Sequence, residues 1–227
     1  VVAASRKRSS RYTGLKAQGY SDKGITKMFD EPVETTIFTW DGPKDTVLTP
    51  NDSLKHHLRF MHTGFFAMEP KTGYVLAWVG GIDHRFFKYD HVKSKRQVGS
   101  TFKPIVYATA IEQGISPCEY FPNQKITYDK YGWTPGNSSG EYGGYYSMMG
   151  GLTHSVNTVA AAIIMKTGVQ PVIAEARKMG IKGDLPQVPS IALGTASLSL
   201  QEMVTAYGCF ANRGLKAEPQ YLVRIET

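Results

Sequence analysis

The chain has 227 residues, 41% of them hydrophobic and 20% charged, with a formal net charge of +7. That is enough chain for one large domain or two small ones of ordinary globular composition. No apolar run is long enough to cross a bilayer as a helix. The basic excess gathers partly in Arg6, Lys7, Arg8 and Arg11, inside a polar, Ser-containing leader. Such a run is ordinarily a solvated face or a linker, and no groove-reading motif accompanies it, so nucleic-acid binding is not expected. Cys118 and Cys209 match no metal-ligand spacing and are expected as unpaired, packed thiols. No metal or other cofactor is expected.

The opening Val1-Val2-Ala3-Ala4 has neither an initiator Met nor a signal-peptide pattern and reads as a cut edge of a longer protein. Residues 1–45 are expected to be the tail of an interdomain linker, with one domain from 46 to 227. Pro32, Gly42, Pro43 and Pro50 interrupt any long periodicity up to about residue 60, so this stretch reads as a linker with short elements. Two apolar runs, 63–68 and 74–79, flank Glu69-Pro70-Lys71-Thr72-Gly73, which predicts a β-hairpin closed by Gly80-Gly81.

At Gly99-Ser100 the pattern turns helical. Phe102, Val106, Ala110 and Ile111 recur at helix spacing up to Gly114, and Pro104 fits because it falls in the first turn. Residues 115–150, rich in Gly, Tyr, Asn and Pro, are expected to be an irregular surface excursion. Val156, Val159, Ala160, Ile163 and Ile164 give the stripe of a buried helix that Gly168 ends. A second helix is predicted from near Pro171 to Gly180. A third opens on a Ser199/Glu202 capping box, with Leu200, Met203, Val204 and Tyr207 on one face and a stop at Gly214. Tyr221, Val223 and Ile225 then alternate like a strand. A hairpin, then helices, then a returning strand indicate an α/β domain, with helices layered on a sheet.

The chemistry concentrates in two places. In Ser100-Thr101-Phe102-Lys103 the Ser and Lys are one helical turn apart, so the amine can come within reach of the hydroxyl. A Ser hydroxyl is a poor nucleophile until a neighbour removes its proton, and a helix N-terminus favours the alkoxide that forms. For Lys103 to serve as that base its pKa must fall from about 10.4 to about 7, which costs about 4.6 kcal/mol. Burial and a second nearby cation are the means available. Further along, Ser155-Val156-Asn157 stands at the mouth of the apolar helix. Ser155 reads either as that helix's N-cap or as a proton relay. Asn157 offers an amide that can both donate to and accept from a peptide.

The Gly99-Ser100-Thr101-Phe102-Lys103-Pro104 block and Ser155-Val156-Asn157 resemble the first two signature motifs of penicillin-binding proteins. Glu69 to Gly73 with Gly80-Gly81, Trp133 to Asn137, and Ala192 to Thr195 with Glu202-Met203 resemble the class A, bifunctional members. The texture is similar to Bacteroidetes versions. The resemblance implies the penicillin-binding protein/β-lactamase-like transpeptidase fold, in which a helical region packs on an antiparallel sheet, incomplete in this chain. It implies a serine D,D-transpeptidase whose partners are peptidoglycan stem peptides and β-lactam antibiotics. Ser100 would be the nucleophile, Lys103 its base, Ser155 the relay to the leaving amine, Asn157 a substrate-binding residue and the Ser100 N–H an oxyanion donor. The expected location is the periplasmic face of the bacterial inner membrane, with contact to the membrane only through an upstream anchor absent from this chain.

The family's third motif, Lys-Thr-Gly on a strand beside the nucleophile, is not matched in context. Lys71-Thr72-Gly73 precedes Ser100 and occupies the predicted hairpin turn, and Lys166-Thr167-Gly168 ends the helix that Asn157 begins. Too few residues follow Asn157 for the true triplet, so the chain is expected to stop short of it and to have little turnover alone. An upstream glycosyltransferase domain and membrane anchor are expected in the whole protein. The basic leader then reads as solvated linker or as lying near anionic lipid. Two alternatives remain: a hydrolase (D,D-carboxypeptidase or β-lactamase) and a β-lactam sensor without turnover.

Overall fold

The computed structural model describes residues 1–222, 224 and 225. The chain divides into two compact units: residues 1–63 with 81–88, and residues 64–80 with 89–227.

The first unit holds α1 (Val2–Arg8), α2 (Ser10–Ala17), α3 (Asp22–Met28), β1 (Val33–Ile37), β2 (Lys44–Leu48) and α4 (Pro50–His57). The stretch read as a linker with short elements carries three short helices before β1, each too short for apolar periodicity to register. The signals that were there are local: Ser9, Ser21 and Thr49 each accept the backbone N–H three residues on, and Pro50 takes the first helical position of α4. Tyr12, Ile25 and Phe29 bury a small core with Leu15 and Leu54 packed on it. β1 and β2 pair antiparallel from Val33–Leu48 to Ile37–Lys44. Phe38 then packs edge-on against Trp40, Phe60, Phe86 and Phe87, so the 81–88 segment shares this unit's aromatic cluster.

The second unit opens with the predicted hairpin, β3 (Phe65–Met68) and β4 (Val75–Val79), antiparallel with an irregularity at Ala67/Met68. β5 (Arg96–Gln97) leads into a 3₁₀ turn, Gly99–Phe102, and α5 (Lys103–Glu112). The α-helix thus starts at Lys103 and not at Ser100. Pro104, with no N–H to give, stands at its entry. The 115–150 region is more ordered than its composition suggested. It contains β6 (Tyr120–Pro122) paired with β7 (Tyr145–Ser147), and it buries Phe121 and Asn123. α6 (Met148–Thr153), α7 (Asn157–Thr167), α8 (Val169–Lys178), β8 (Ser197–Leu198) and α9 (Leu200–Ala211) complete the unit.

α5 and α7 form the centre of the core. α7 is apolar around nearly its whole circumference, burying Val159, Ala160, Ala161, Ile163 and Ile164, as a helix enclosed by its neighbours requires. Among the described residues no single helix is long and apolar enough to cross a membrane. α7 and α8 together pass on composition, but they meet at 94° and α7 is interior. α8 begins two residues before Pro171, with the left-handed Gly168 between the two helices. The capping box at Ser199 and Glu202 forms, and the helix stops at Ala211, short of Gly214. Cys209 is buried and Cys118 is exposed, both as free thiols, so only Cys209 is packed. The returning segment reaches β4 through a parallel bridge from Tyr74 to Gln220. Of its predicted alternation, Val223 lies outside the described residues.

Candidate active site

The site is built at the N-termini of α5 and α7. Gly99 takes a left-handed conformation (φ 56°) and turns the chain into the 3₁₀ turn that carries Ser100. That turn is held at several points. Gly99 N donates to Gly194 O at 3.0 Å, Val98 N to Ala196 O at 3.1 Å, and Thr101 Oγ1 to Val98 O at 2.7 Å. On the α9 side the Tyr207 hydroxyl donates to Thr101 O at 2.7 Å. The backbones of Gly99 and Gly194 are so close that a Cβ on residue 194 would lie 1.8 Å from Gly99 O. Gly194 was noticed in the sequence only as part of a familiar block. A residue that must lack a side chain leaves no periodicity or charge for such a reading to find.

One turn after Ser100, the Lys103 side chain runs inward and is 1% exposed. Its Nζ donates to Ser155 O at 2.5 Å, Ser155 Oγ at 3.0 Å and Asn157 Oδ1 at 2.7 Å. Three donors meet three acceptors, the pattern of an ammonium; in the neutral amine one contact becomes a lone pair able to accept from the Ser155 hydroxyl. Burial pulls the lysine pKa down to about 8. The second cation expected to help is absent from its hydrogen-bonding surroundings among the described residues.

Ser155 is not the N-cap of α7. Val156 holds that position with no side-chain bond, while Ser155 has a left-handed backbone (φ 53°) at the end of the α6 turn. A non-glycine residue held there costs about 1–3 kcal/mol unless its surroundings fix it. Here its carbonyl and hydroxyl both bind Lys103, and Val156 N ties the next residue to Gly151 O at 2.8 Å.

Ser100 and Ser155 open on one cavity of about 390 Å³, walled by Asn123, Asn137, Glu141, Tyr146 and His154 among others. Ser100 is exposed at its rim, and its hydroxyl is not bonded to Lys103 in this structure. Lys103, Ser155 and Asn157 are thus in direct contact, and Ser100 joins them through the shared wall. Neither Lys-Thr-Gly triplet is here. Lys71 and Thr72 form the β3–β4 turn, and Lys166 to Gly168 end α7, with Lys166 paired to Glu119. Asn123 and Asn137, absent from the expected site, join it through the 115–150 region.

An exposed Ser on a helix-entry turn with a buried lysine of lowered pKa behind it supplies the two groups that serine acyl transfer needs, a hydroxyl and a nearby base. The family model for the penicillin binding protein transpeptidase domain matches residues 63–227, and that for the penicillin-binding protein middle domain matches residues 1–61. The chain belongs to the penicillin-binding proteins, and its second unit is a transpeptidase domain of that family. Penicillin-binding protein 2D of Bacillus subtilis is 35% identical over 173 residues, which are 73% of this chain and 25% of that protein. Penicillin-binding protein 1A of Neisseria gonorrhoeae is 35% identical over 166 residues, 70% of this chain and 21% of that protein. Among solved structures, penicillin-binding protein 1A from Haemophilus influenzae superposes with a TM-score of 0.67 at 30% identity, covering 70% of this chain and 25% of that one. The chain spans about a quarter of the length of the curated relatives it matches.

Proposed function

We propose that this chain carries the acylation site of a peptidoglycan D,D-transpeptidase, with Ser100 as nucleophile. The observation that carries the reading is the buried Lys103 amine, 3.0 Å from Ser155 Oγ and 2.7 Å from Asn157 Oδ1, behind a cavity onto which Ser100 opens. In the neutral state Lys103 takes the proton of Ser100 as Oγ attacks the carbonyl between two terminal D-alanines of a stem peptide. The C–N bond breaks as the Ser155 hydroxyl hands its proton to the departing D-alanine amine and takes one from the Lys103 ammonium 3.0 Å away, leaving neutral Lys103 and an ester to Ser100. An amine of a neighbouring stem then attacks that ester, forming the cross-link and freeing Ser100. Asn157 orients the peptide backbone, and the Ser100 N–H is one oxyanion donor. A β-lactam acylates the same oxygen through its ring amide, and the opened ring stays attached.

The whole protein works at the periplasmic face of the bacterial inner membrane, with an anchor and a glycosyltransferase domain upstream. Alone, the 227-residue chain acylates slowly and turns over little. Burial brings Lys103 only to about 8, which leaves roughly a tenth of it neutral at pH 7. A single acylation per molecule still accumulates. Intact-mass measurement after incubation with a penicillin is expected to show one adduct on the wild-type chain and none on Ser100→Ala. An adduct of equal yield on Ser100→Ala would overturn the assignment.

A further inference from the structure

We infer that Asn137 is a positioning residue of the acylation site, setting where Asn157 and Lys103 stand by capping α7 from a distant loop. The inference deepens the transpeptidase reading above and rests on it.

The residue before α7 is Val156, whose side chain cannot accept a hydrogen bond, so the first N–H groups of the helix need a partner from elsewhere. Asn137 Oδ1 supplies it, accepting from Asn157 N at 3.0 Å and Thr158 N at 3.2 Å. Its Nδ2 donates to Asn123 Oδ1 at 2.7 Å and Glu141 O at 2.8 Å. Two acceptor and two donor positions are filled, which is all that a side-chain amide offers. Ser, Thr or Asp could accept from the helix but could not donate to both other partners.

The neighbours extend the arrangement into the site. Asn123 is 5% exposed, and its Oδ1 also accepts from Thr158 Oγ1 at 2.8 Å, so the second residue of α7 is tied twice to this loop. Gly136 O, one residue before the cap, accepts from Asn157 Nδ2 at 2.9 Å. That bond settles which way the Asn157 amide faces: nitrogen to Gly136, oxygen to Lys103 at 2.7 Å. The sequence from loop to base is therefore continuous: Asn137 holds the backbone of residue 157, Gly136 orients its side chain, and that side chain holds the amine. The loop itself contains Gly140, Gly143 and Gly144, all at positive φ, and backbone bonds from Gly143 N to Asn123 O at 2.7 Å and from Asn123 N to Gly144 O at 3.0 Å hold it beside the amide.

Asn137→Asp separates positioning from plain stabilisation. The carboxylate keeps both helix N–H bonds but sets an oxygen against Asn123 Oδ1 and Glu141 O where two donors stood, so some stability is lost; its negative charge toward Lys103 also favours the ammonium. Asn137→Ala removes the cap and opens the lysine to water, which also favours the ammonium. Glu141, His154 and Tyr146, the titratable groups on the cavity wall, are unchanged in both variants.

The test measures acylation by a fluorescent penicillin against pH in the 227-residue chain, together with thermal unfolding. Asn137→Asp is expected to unfold below the wild-type temperature, to acylate about tenfold more slowly at pH 7.5, and to regain its rate about one pH unit higher, which lost stability alone would not produce. Asn137→Ala is expected to lose more. A purely structural cap would reduce the yield equally at every pH. Wild-type pH profiles in both variants would overturn the inference. Should no adduct form even on wild type, the transpeptidase reading fails instead. Titration of Lys103 by NMR of labelled lysine side chains then decides the inference: an unmoved midpoint in Asn137→Asp rejects it, an upward shift supports it.

Discussion

Lys103 shows how much a single residue can demand of its surroundings. A lysine that is 1% exposed has lost most of its hydration, and three acceptors from residues 155 and 157 replace only part of it. The net result is a pKa lowered to about 8. The sign of the consequence follows directly. Below pH 8 the ammonium dominates and cannot take a proton; above it the free amine can. Acylation of Ser100 should therefore rise with pH, reach half its plateau near 8, and be about a hundredfold slower at pH 6 than at the plateau. Lys103→Met is expected to flatten this profile and cost about 10²–10⁴-fold in rate. Lys103→Arg is the sharper variant, because a guanidinium keeps the charge but cannot act as a base. If Lys103→Arg were labelled by penicillin within tenfold of wild type, the general-base role would be wrong.

At the level of elements, the site depends on where helices begin and on what props them there. The nucleophile turn rests on the segment before β8, where Gly194 (φ 74°) meets Gly99 backbone to backbone. Gly194→Ala must displace that turn. It is expected to destabilise the domain by more than about 2 kcal/mol and to slow acylation at least tenfold. Gly114→Ala is the control. It also sits at positive φ, but a Cβ there meets nothing within 4 Å, so only backbone strain of about 1–2 kcal/mol applies. Chemical denaturation and penicillin labelling of both variants would check this; equal effects would mean that the close approach of the two backbones does not matter.

α9 gives a second lesson. Its capping box forms as predicted, and Glu202 goes further. One carboxylate oxygen accepts from Ser199 N and Oγ, and the other from the backbone N–H groups of Lys182 and Gly183. Burial would raise this carboxyl's pKa, but those hydrogen bonds outweigh it and hold it below the usual range. The apolar face of α9 is only partly buried. Met203, Ala206 and Cys209 enter the core, whereas Leu200, Val204 and Tyr207 line an apolar groove of about 440 Å³ together with Val98 and Thr101.

On the scale of the molecule, two folded units stand where a linker and one domain were expected, and the transpeptidase unit holds the whole described site. Both Lys-Thr-Gly triplets among the described residues lie in structural positions, one in the β3–β4 turn and one at the C-terminal end of α7.

That Ser100 and Lys103 stand one turn apart could be read from sequence, because a helical turn fixes their separation wherever it is placed. The hairpin, the buried character of α7 and the α9 capping box were legible for the same reason, since each depends on neighbours within a few residues. Whether Ser155 capped a helix or faced a lysine could not be read that way, and the structure places its hydroxyl on Lys103. Asn123, Asn137 and Gly194 act across the fold, through contacts between segments that no local spacing records. For a related reason the small core of Tyr12, Ile25 and Phe29, on which the short elements of residues 1–45 pack, could not be read from sequence: only packing shows that such a core exists.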